Sequence, residues 1–298
     1  MPASAEPPRP GEEATRPADP WDSLRSVLRG MGSAVVAFSG GVDSTFLLHA
    51  AREALGDRVL AVTATSPTYP GAEREEAERI ARAWGVAHRL VESNELAIPG
   101  FADNPPDRCY HCKRELFGIL TGIAREEGYA AVCDGTNADD AGDYRPGRRA
   151  ARELGVRSPL LECGIGKDTI RDLSRRFGLP TAEKGAFACL SSRFPYGTTI
   201  DGEKLRRVEA CEEILRRFGF RADASDRPGL RGLQPGNLCN RGRCGQGVQL
   251  ELTAGLRRRL YLSIAYRRAR QRTPAFYRLV AALASAIRTC NRGLPGSR

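Results

Sequence analysis

Three short stretches of the sequence combine residue types at spacings that can do chemistry. The first is "SGGVDS" at 39–44, the second is "RCYHC" at 108–112, and the third is "ACLSSR" at 188–193. The first has the composition of a phosphate-binding loop, and the other two place thiols next to cationic or ligating side chains. Together they indicate an enzyme that combines phosphate chemistry with thiol chemistry.

The stretch 39–44 lies between a predicted strand and a predicted helix. Gly40 and Gly41 let the backbone turn sharply, so that successive N–H groups and the helix N-terminus face an anion. Ser39 and Ser44 can donate to phosphate oxygens, and Asp43 can bind Mg²⁺. No Gly-Lys-Ser/Thr follows, so the loop is not a Walker A motif. The alternative is an ordinary strand-to-helix turn.

A second polar stretch, "DGTNADDAGDYRPG", begins at Asp134 where another predicted strand ends. Ligands of open α/β sheets gather at the carboxyl ends of the strands. Asp134 and Asn137 are therefore predicted to contact the nucleotide. Turn formation is the alternative, since Asp-Gly and Asn are common in turns.

Cys189 is the candidate nucleophile. A reactive cysteine must be ionised and accessible, and Arg193 nearby can lower the pKa of its thiol. Since Ala188 and Leu190 flank it, a small buried core residue is the alternative.

The pair Cys109 and Cys112 can hold one metal or cluster, or form a redox disulfide, and a third ligand decides between these uses. Zinc with His111 is one alternative, although the position of this histidine between the two cysteines makes simultaneous ligation awkward. A pair without metal is another.

Alternating apolar patterns surround these stretches and predict an α/β fold in which a parallel sheet is flanked by helices. The predicted strands are 33–38, 58–65, 86–92 and 129–135, and the predicted helices are 44–55, 72–85, 113–128, 167–178 and 201–220. We expect a disordered tail at 1–20, a nucleotide-binding domain at 21–185, and a smaller C-terminal region at 186–298 that carries the cysteine loop and a helix.

Charge and hydropathy exclude some classes of protein. The net charge of +10 is concentrated after residue 218, where the chain has sixteen arginines, no lysine and three acidic residues. The remainder is about neutral, which disfavours nucleic acid as the partner. Without an apolar stretch of membrane-spanning length or a signal peptide, the chain is predicted to be cytoplasmic and not to bind a membrane. For the arginine-rich tail after Phe220 we consider a shifted reading frame, with a basic RNA-binding appendage as the alternative.

Five segments in this order and at this spacing resemble the LarE family of sulfur transferases, within the ATP pyrophosphatase (PP-loop) superfamily. They are 39–44, 104–117, 134–147, 158–181 and 188–199, and the resemblance covers about residues 21–220. It implies an adenine nucleotide α-hydrolase-like domain that uses ATP and Mg²⁺ to adenylate a carboxylate of a pyridinium dicarboxylate mononucleotide. Pyrophosphate leaves, and the product is a thiocarboxylate for nickel-pincer cofactor synthesis. A homo-oligomer is also implied.

The resemblance leaves two sources of sulfur open. In one, Cys189 attacks the acyl-adenylate and gives up its own sulfur. In the other, Cys109, Cys112 and Cys189 hold a [4Fe-4S] cluster that delivers sulfide. Two other functions remain as alternatives, a tRNA thiolase and a PP-loop amide synthetase.

Overall fold

A parallel four-stranded sheet forms the centre of the protein, with strand order β3-β2-β1-β4. The computed structural model describes residues 19–142, 146–185, 188–217 and 274–291. The strands are β1 (Ala34–Ala37), β2 (Val59–Thr65), β3 (Ala87–Glu92) and β4 (Ala131–Cys133). All neighbouring strands pair in parallel. The predicted α/β class is confirmed, and each observed strand lies inside its predicted range.

Nine helices are present in the described residues, together with three short 3₁₀ turns. The helices are α1 (Pro20–Met31), α2 (Val42–Leu55), α3 (Gly71–Trp84), α4 (Arg108–Glu127), α5 (Gly147–Glu153), α6 (Pro159–Glu162), α7 (Lys167–Arg176), α8 (Gly202–Arg217) and α9 (Pro274–Asn291). The 3₁₀ turns are Glu95–Ala97, Ala138–Gly142 and Leu190–Arg193.

Helix α1 is not among the predicted helices, and α4 starts well before its predicted range. The predicted disordered tail is wrong at its end, because the Asp19 carboxylate caps α1, which begins at Pro20. Residues 1–18 lie outside the described residues. Helix α4 begins at Arg108 instead of residue 113, so Cys109 and Cys112 lie in its first turns.

Apolar side chains cover both faces of the sheet. Val36 of β1 packs in the cluster formed with α1, α2, α3 and α7, whereas Val35 packs in the cluster formed with α4 and α5. Successive strand residues point to opposite faces, so a sheet covered on both sides requires strands that are apolar throughout. This explains why "AVVA" and "VLAV" show no polar alternation, and it leaves the carboxyl ends of the strands as the place for polar groups.

A smaller cluster lies at the C-terminal side, where Leu190, Ile200 and Leu205 are buried together. Helix α9, which the sequence analysis did not predict, has Leu279 and Ala282 buried and packs against α8. Cys211 of α8 is disulfide-bonded. Residues 218–273 and 292–298, where most of the arginine-rich tail lies, are outside the described residues. No helix in the described ranges is long and apolar enough to cross a bilayer.

Candidate active site

The stretch 39–44 forms the loop between β1 and α2, at the carboxyl edge of the sheet. Gly40 has φ of +63°, and a Cβ there would lie 3.2 Å from the Cβ of Ala77 in α3. Both the backbone conformation and the close approach therefore require glycine. Gly41 is the N-cap of α2, and no side chain caps the helix. The N–H groups of the first turn are thus suited to receive an anion.

Hydroxyl groups hold this loop in shape. The buried Ser44 Oγ accepts from the backbone N–H of Ser39 at 3.2 Å and lies 3.1 Å from Ser39 Oγ. Tyr69, which the sequence analysis did not single out, donates to the Ser39 carbonyl at 2.6 Å. Burial, helped by nearby carboxylates, raises the pKa of Tyr69, so it remains a donor. Ser44 is thus used to organise the loop, while the exposed Ser39 is better placed to meet a phosphate.

Asp43, the predicted Mg²⁺ ligand, forms an ion pair with Lys167 at the start of α7. Its other oxygen, Oδ1, is buried and has no hydrogen-bond partner among the described residues. A buried carboxylate oxygen without a donor is costly and suits a bound cation. The side chains present therefore fit Mg²⁺ beside the triphosphate. The sequence analysis missed Lys167, which lies 124 residues from its partner.

Asp134 and Asn137 lie beside the phosphate loop, but their contacts are mainly internal. Asp134 accepts from Ser158 Oγ at 2.6 Å and from Thr136 Oγ1 at 2.7 Å. Asn137 is only 1% exposed, and its Oδ1 accepts the backbone N–H two residues on. A Cβ at Gly135 would lie 3.0 Å from a backbone nitrogen in the first turn of α2. The loop after β4 therefore supports the phosphate loop, and nucleotide contact by these two residues stays a prediction.

Lys184 links the phosphate loop to the segment that leads to Cys189. Its side chain is only 11% exposed. Its Nζ lies 2.6 Å from Glu73 and 2.7 Å from Glu76 of α3, and it donates to the Gly40 carbonyl at 3.0 Å. Two carboxylates and a carbonyl thus surround this mostly buried ammonium group, as is usual for a lysine in the interior.

The three predicted thiol ligands lie near one another. Cys109 and Cys112, three residues apart on α4, share one helix face. Cys109 is exposed, but partial desolvation of its sulfur raises the pKa of the thiol, and the neighbouring Cys189 raises it further. Burial, followed by the charge of Glu95, raises the pKa of Cys112, and Cys189 and Cys109 add to this effect. Each thiol is thus close enough for the ionisation of another to affect it, although no group in the described residues is arranged as a metal site.

Glu95 is a second residue that sequence reasoning missed. It is 3% exposed, and Cys112 donates to its Oε1 at 3.6 Å. Burial raises the pKa of its carboxyl. His111 instead lies 3.7 Å from Asp107 and, two residues from Cys109, faces another side of α4. The zinc alternative that includes His111 therefore lacks support from these described contacts.

The guanidinium of Arg193 is engaged by groups other than a sulfur. Its Nε lies 2.7 Å from Glu212 of α8 in an ion pair in which both side chains are 15% exposed. Another of its nitrogens donates to the Ala188 carbonyl at 2.6 Å and to the Cys189 carbonyl at 3.2 Å. These contacts position the backbone of the cysteine loop. A direct effect of Arg193 on the thiol pKa stays a prediction.

Comparisons with known proteins agree with the phosphate loop. The family model for the queuosine biosynthesis protein QueC matches residues 33–100, and that for poly-gamma-glutamate hydrolase matches residues 194–282. Neither spans half of the chain. An uncharacterized protein of Synechocystis is 47% identical over 67% of this chain and 74% of its own. The pyridinium-3,5-bisthiocarboxylic acid mononucleotide synthase of Lactiplantibacillus plantarum is 38% identical over 66% of this chain and 72% of its own. A tRNA-specific 2-thiouridylase of Pelobacter propionicus is 33% identical over 50% of this chain and 51% of its own.

Proposed function

Because the chain belongs to the LarE family of ATP-dependent sulfur transferases, we propose that it converts a carboxylate of a pyridinium dicarboxylate mononucleotide into a thiocarboxylate for nickel-pincer cofactor synthesis. One observation carries this proposal: the segment that leads to Cys189 is attached to the phosphate loop through Lys184. In addition, the Cys189 thiol is near enough to Cys109 and Cys112 to raise the pKa of both. Groups for nucleotide activation and for sulfur transfer are thus joined by one short segment.

The first half-reaction is adenylation. A substrate carboxylate attacks the α-phosphate of ATP, which gives an acyl-adenylate and pyrophosphate. The N–H groups at the start of α2 would bind the departing pyrophosphate, and Asp43 would hold Mg²⁺, which neutralises charge on the phosphates. Lys167 forms an ion pair with Asp43, and its positive charge would help to neutralise the phosphates.

The second half-reaction replaces AMP by sulfur. If Cys189 is the donor, its thiolate attacks the acyl carbon and AMP leaves. Loss of the Cys189 α-proton with cleavage of its Cβ–S bond then gives the thiocarboxylate and a dehydroalanine residue. If Cys109, Cys112 and Cys189 instead hold a [4Fe-4S] cluster, that group would supply the sulfide. Their proximity supports the second version, since the pair on α4 has no task in the first.

The remaining predictions belong to the same proposal. We assign residues 21–185 to the nucleotide-binding domain and 186–298 to a smaller region that acts with it in a cytoplasmic homo-oligomer. A tRNA thiolase remains the second candidate, because the relative from Pelobacter propionicus carries that name. The near-neutral charge of residues 1–218 argues against it, since RNA binding relies on many cationic contacts.

The test separates activation from sulfur transfer. Pyrophosphate release from ATP is measured with a pyridinium dicarboxylate mononucleotide, with tRNA, and with a carboxylic acid plus ammonia as acceptors. We expect release with the first alone. Cys189→Ala should release pyrophosphate in the first turnover without forming thiocarboxylate. Cys163→Ala, at a half-buried thiol at the end of α6, should both release pyrophosphate and form thiocarboxylate. Sulfur transfer by Cys189→Ala would overturn the role of this thiol, and activation by tRNA would favour the second candidate.

A second experiment decides the sulfur source. Protein purified without oxygen should contain iron and acid-labile sulfide, and Cys109→Ala should lose both together with multiple turnover. If Cys189 is instead consumed, Cys109→Ala keeps a single turnover, and the mass of the protein falls by that of H₂S. Stoichiometric zinc in colourless protein, after anaerobic reconstitution has been tried, would contradict the cluster.

A further inference from the structure

Asn104 connects the cysteine pair of α4 to the turn that follows Cys189. It is fully buried and has φ of +55°, which makes it the one non-glycine residue in the described ranges with a positive φ. Its Nδ2 donates to the carbonyls of Pro195 at 2.8 Å and Phe194 at 3.3 Å. Its own carbonyl accepts the N–H of Gly197 at 2.9 Å. One residue thus makes three hydrogen bonds to the turn after the cysteine loop.

The other end of the same amide contacts the start of α4. Asn104 Oδ1 accepts from Arg108, the residue directly before Cys109. Arg108 is only 6% exposed, and its guanidinium carbon lies 5.0 Å from the ring centroid of Tyr196. A cation over an aromatic face is attractive, so Arg108 adds a second connection between the two segments.

We propose that Asn104 is a positioning residue that sets the distance between the Cys109–Cys112 pair and Cys189. This inference rests on the proposed three-thiol site. An amide suits the position because one end donates to the Pro195 side while the other accepts from Arg108, which a hydroxyl or a carboxylate cannot reproduce. Asparagine also tolerates the left-handed backbone conformation better than other side chains.

Two substitutions separate the side chain from the backbone. Asn104→Asp has almost the same shape and keeps the acceptor for Arg108, so we expect it to fold. Its second oxygen faces the carbonyls of Phe194 and Pro195 without a proton to donate. Asn104→Gly keeps the positive φ but loses both ends of the amide. Asn94→Asp makes the same chemical change at an exposed position of the preceding loop and is the matched control.

The experiment measures thiol proximity in protein freed of metal and kept reduced. Dibromobimane joins two neighbouring thiols, and peptide mass spectrometry shows which cysteines it has joined. In the unmodified protein we expect a cross-link between Cys189 and the Cys109–Cys112 pair. In Asn104→Asp and Asn104→Gly this cross-link should form about tenfold more slowly, since leaving buried carbonyls without donors favours separation of the segments. ATP-dependent pyrophosphate release in the first turnover should stay unchanged in both variants, as in Asn94→Asp.

Each outcome has one meaning. A normal cross-linking rate in both Asn104 variants would overturn the inference and leave the three-thiol site intact. A normal rate in Asn104→Gly alone would show that backbone conformation, and not the amide, sets the distance, which also overturns it. Absence of the cross-link in the unmodified protein would instead contradict the proposed three-thiol site. Iron content after anaerobic reconstitution should follow the cross-linking rate across the variants.

Discussion

Gly40→Ala should abolish pyrophosphate release from a protein that still folds. Gly40 has φ of +63°, and the new Cβ would lie 3.2 Å from Ala77 Cβ and 3.3 Å from Ala77 Cα. The left-handed conformation costs an alanine roughly 1–2 kcal/mol. Crowding against helix α3 adds about 1–2 kcal/mol, as in other overpacked sites. The loop can escape both costs only by moving away from α3, which redirects the N–H groups that would bind pyrophosphate.

Gly85, which ends helix α3, provides the control. It is left-handed with φ of +63°, and a Cβ there would meet nothing within 4 Å. Gly85→Ala therefore carries the conformational cost alone, about 1–2 kcal/mol.

The assays are urea unfolding and first-turnover pyrophosphate release. Gly40→Ala should lose about 2–4 kcal/mol of unfolding free energy and at least about a hundredfold in release rate, the size of effect seen when a preorganised donor is displaced. Gly85→Ala should keep the release rate. Equal losses of activity in Gly40→Ala and Gly85→Ala would refute the reasoning, because the phosphate loop would then have no special role. Normal turnover in Gly40→Ala would refute the assignment of the loop.

Two further predictions concern ion pairs. Lys167→Gln should raise the KM for ATP about tenfold or more, because a cation beside Asp43 and the phosphates is lost; an unchanged KM in steady-state kinetics would show that Lys167 serves only to pair with Asp43. Arg193→Gln and Glu212→Gln should each slow sulfur transfer while first-turnover pyrophosphate release stays normal, since the pair holds the cysteine loop. The double variant should be no slower than either single one, and additive losses measured by thiocarboxylate formation would contradict a shared role.

The sequence predicts the phosphate loop well because its parts are contiguous. A strand, two glycines and a helix start lie within 34–55, and local backbone rules decide how they fold. The side chains that contact the loop are not predicted by the sequence. Tyr69, Lys167 and Lys184 come from three separate segments and are of ordinary residue types, so no local pattern marks them. Only the fold brings them to the carboxyl edge of the sheet.

The sequence predicts the start of α4 too late, so it does not place Cys109 and Cys112 on this helix. The apolar period of this helix becomes visible at residue 113, but the helix begins at Arg108, directly after a loop that contains prolines. The first turn of a helix needs no apolar periodicity when side chains from another segment cover it. Here the ring of Tyr196 lies against the Arg108 guanidinium, a contact that no sequence pattern indicates.

Arg193 is close to Cys189 in sequence, but its side chain contacts other groups. Four residues separate it from Cys189, which led to the prediction that its charge acts on the thiol. The structure shows it in contact with Glu212 and with the carbonyls of Ala188 and Cys189. These contacts place the Cys189 backbone, and an effect of Arg193 on the thiol stays a prediction.

Among the side chains that attach the cysteine loop and its flanking segments to other parts of the molecule, we expect three to control different steps. Lys184 fixes it to the phosphate loop, Arg193 fixes it to α8, and Asn104 fixes the turn after it to the start of α4. Of these three side chains, Lys184 is the one that contacts the backbone of Gly40 in the described residues, so we expect pyrophosphate release to depend on this attachment and not on the other two. We expect sulfur transfer to depend on all three, because the acyl carbon and the thiols must meet. Variants of Arg193 or Asn104 should therefore lose sulfur transfer alone, whereas a variant of Lys184 should lose both steps.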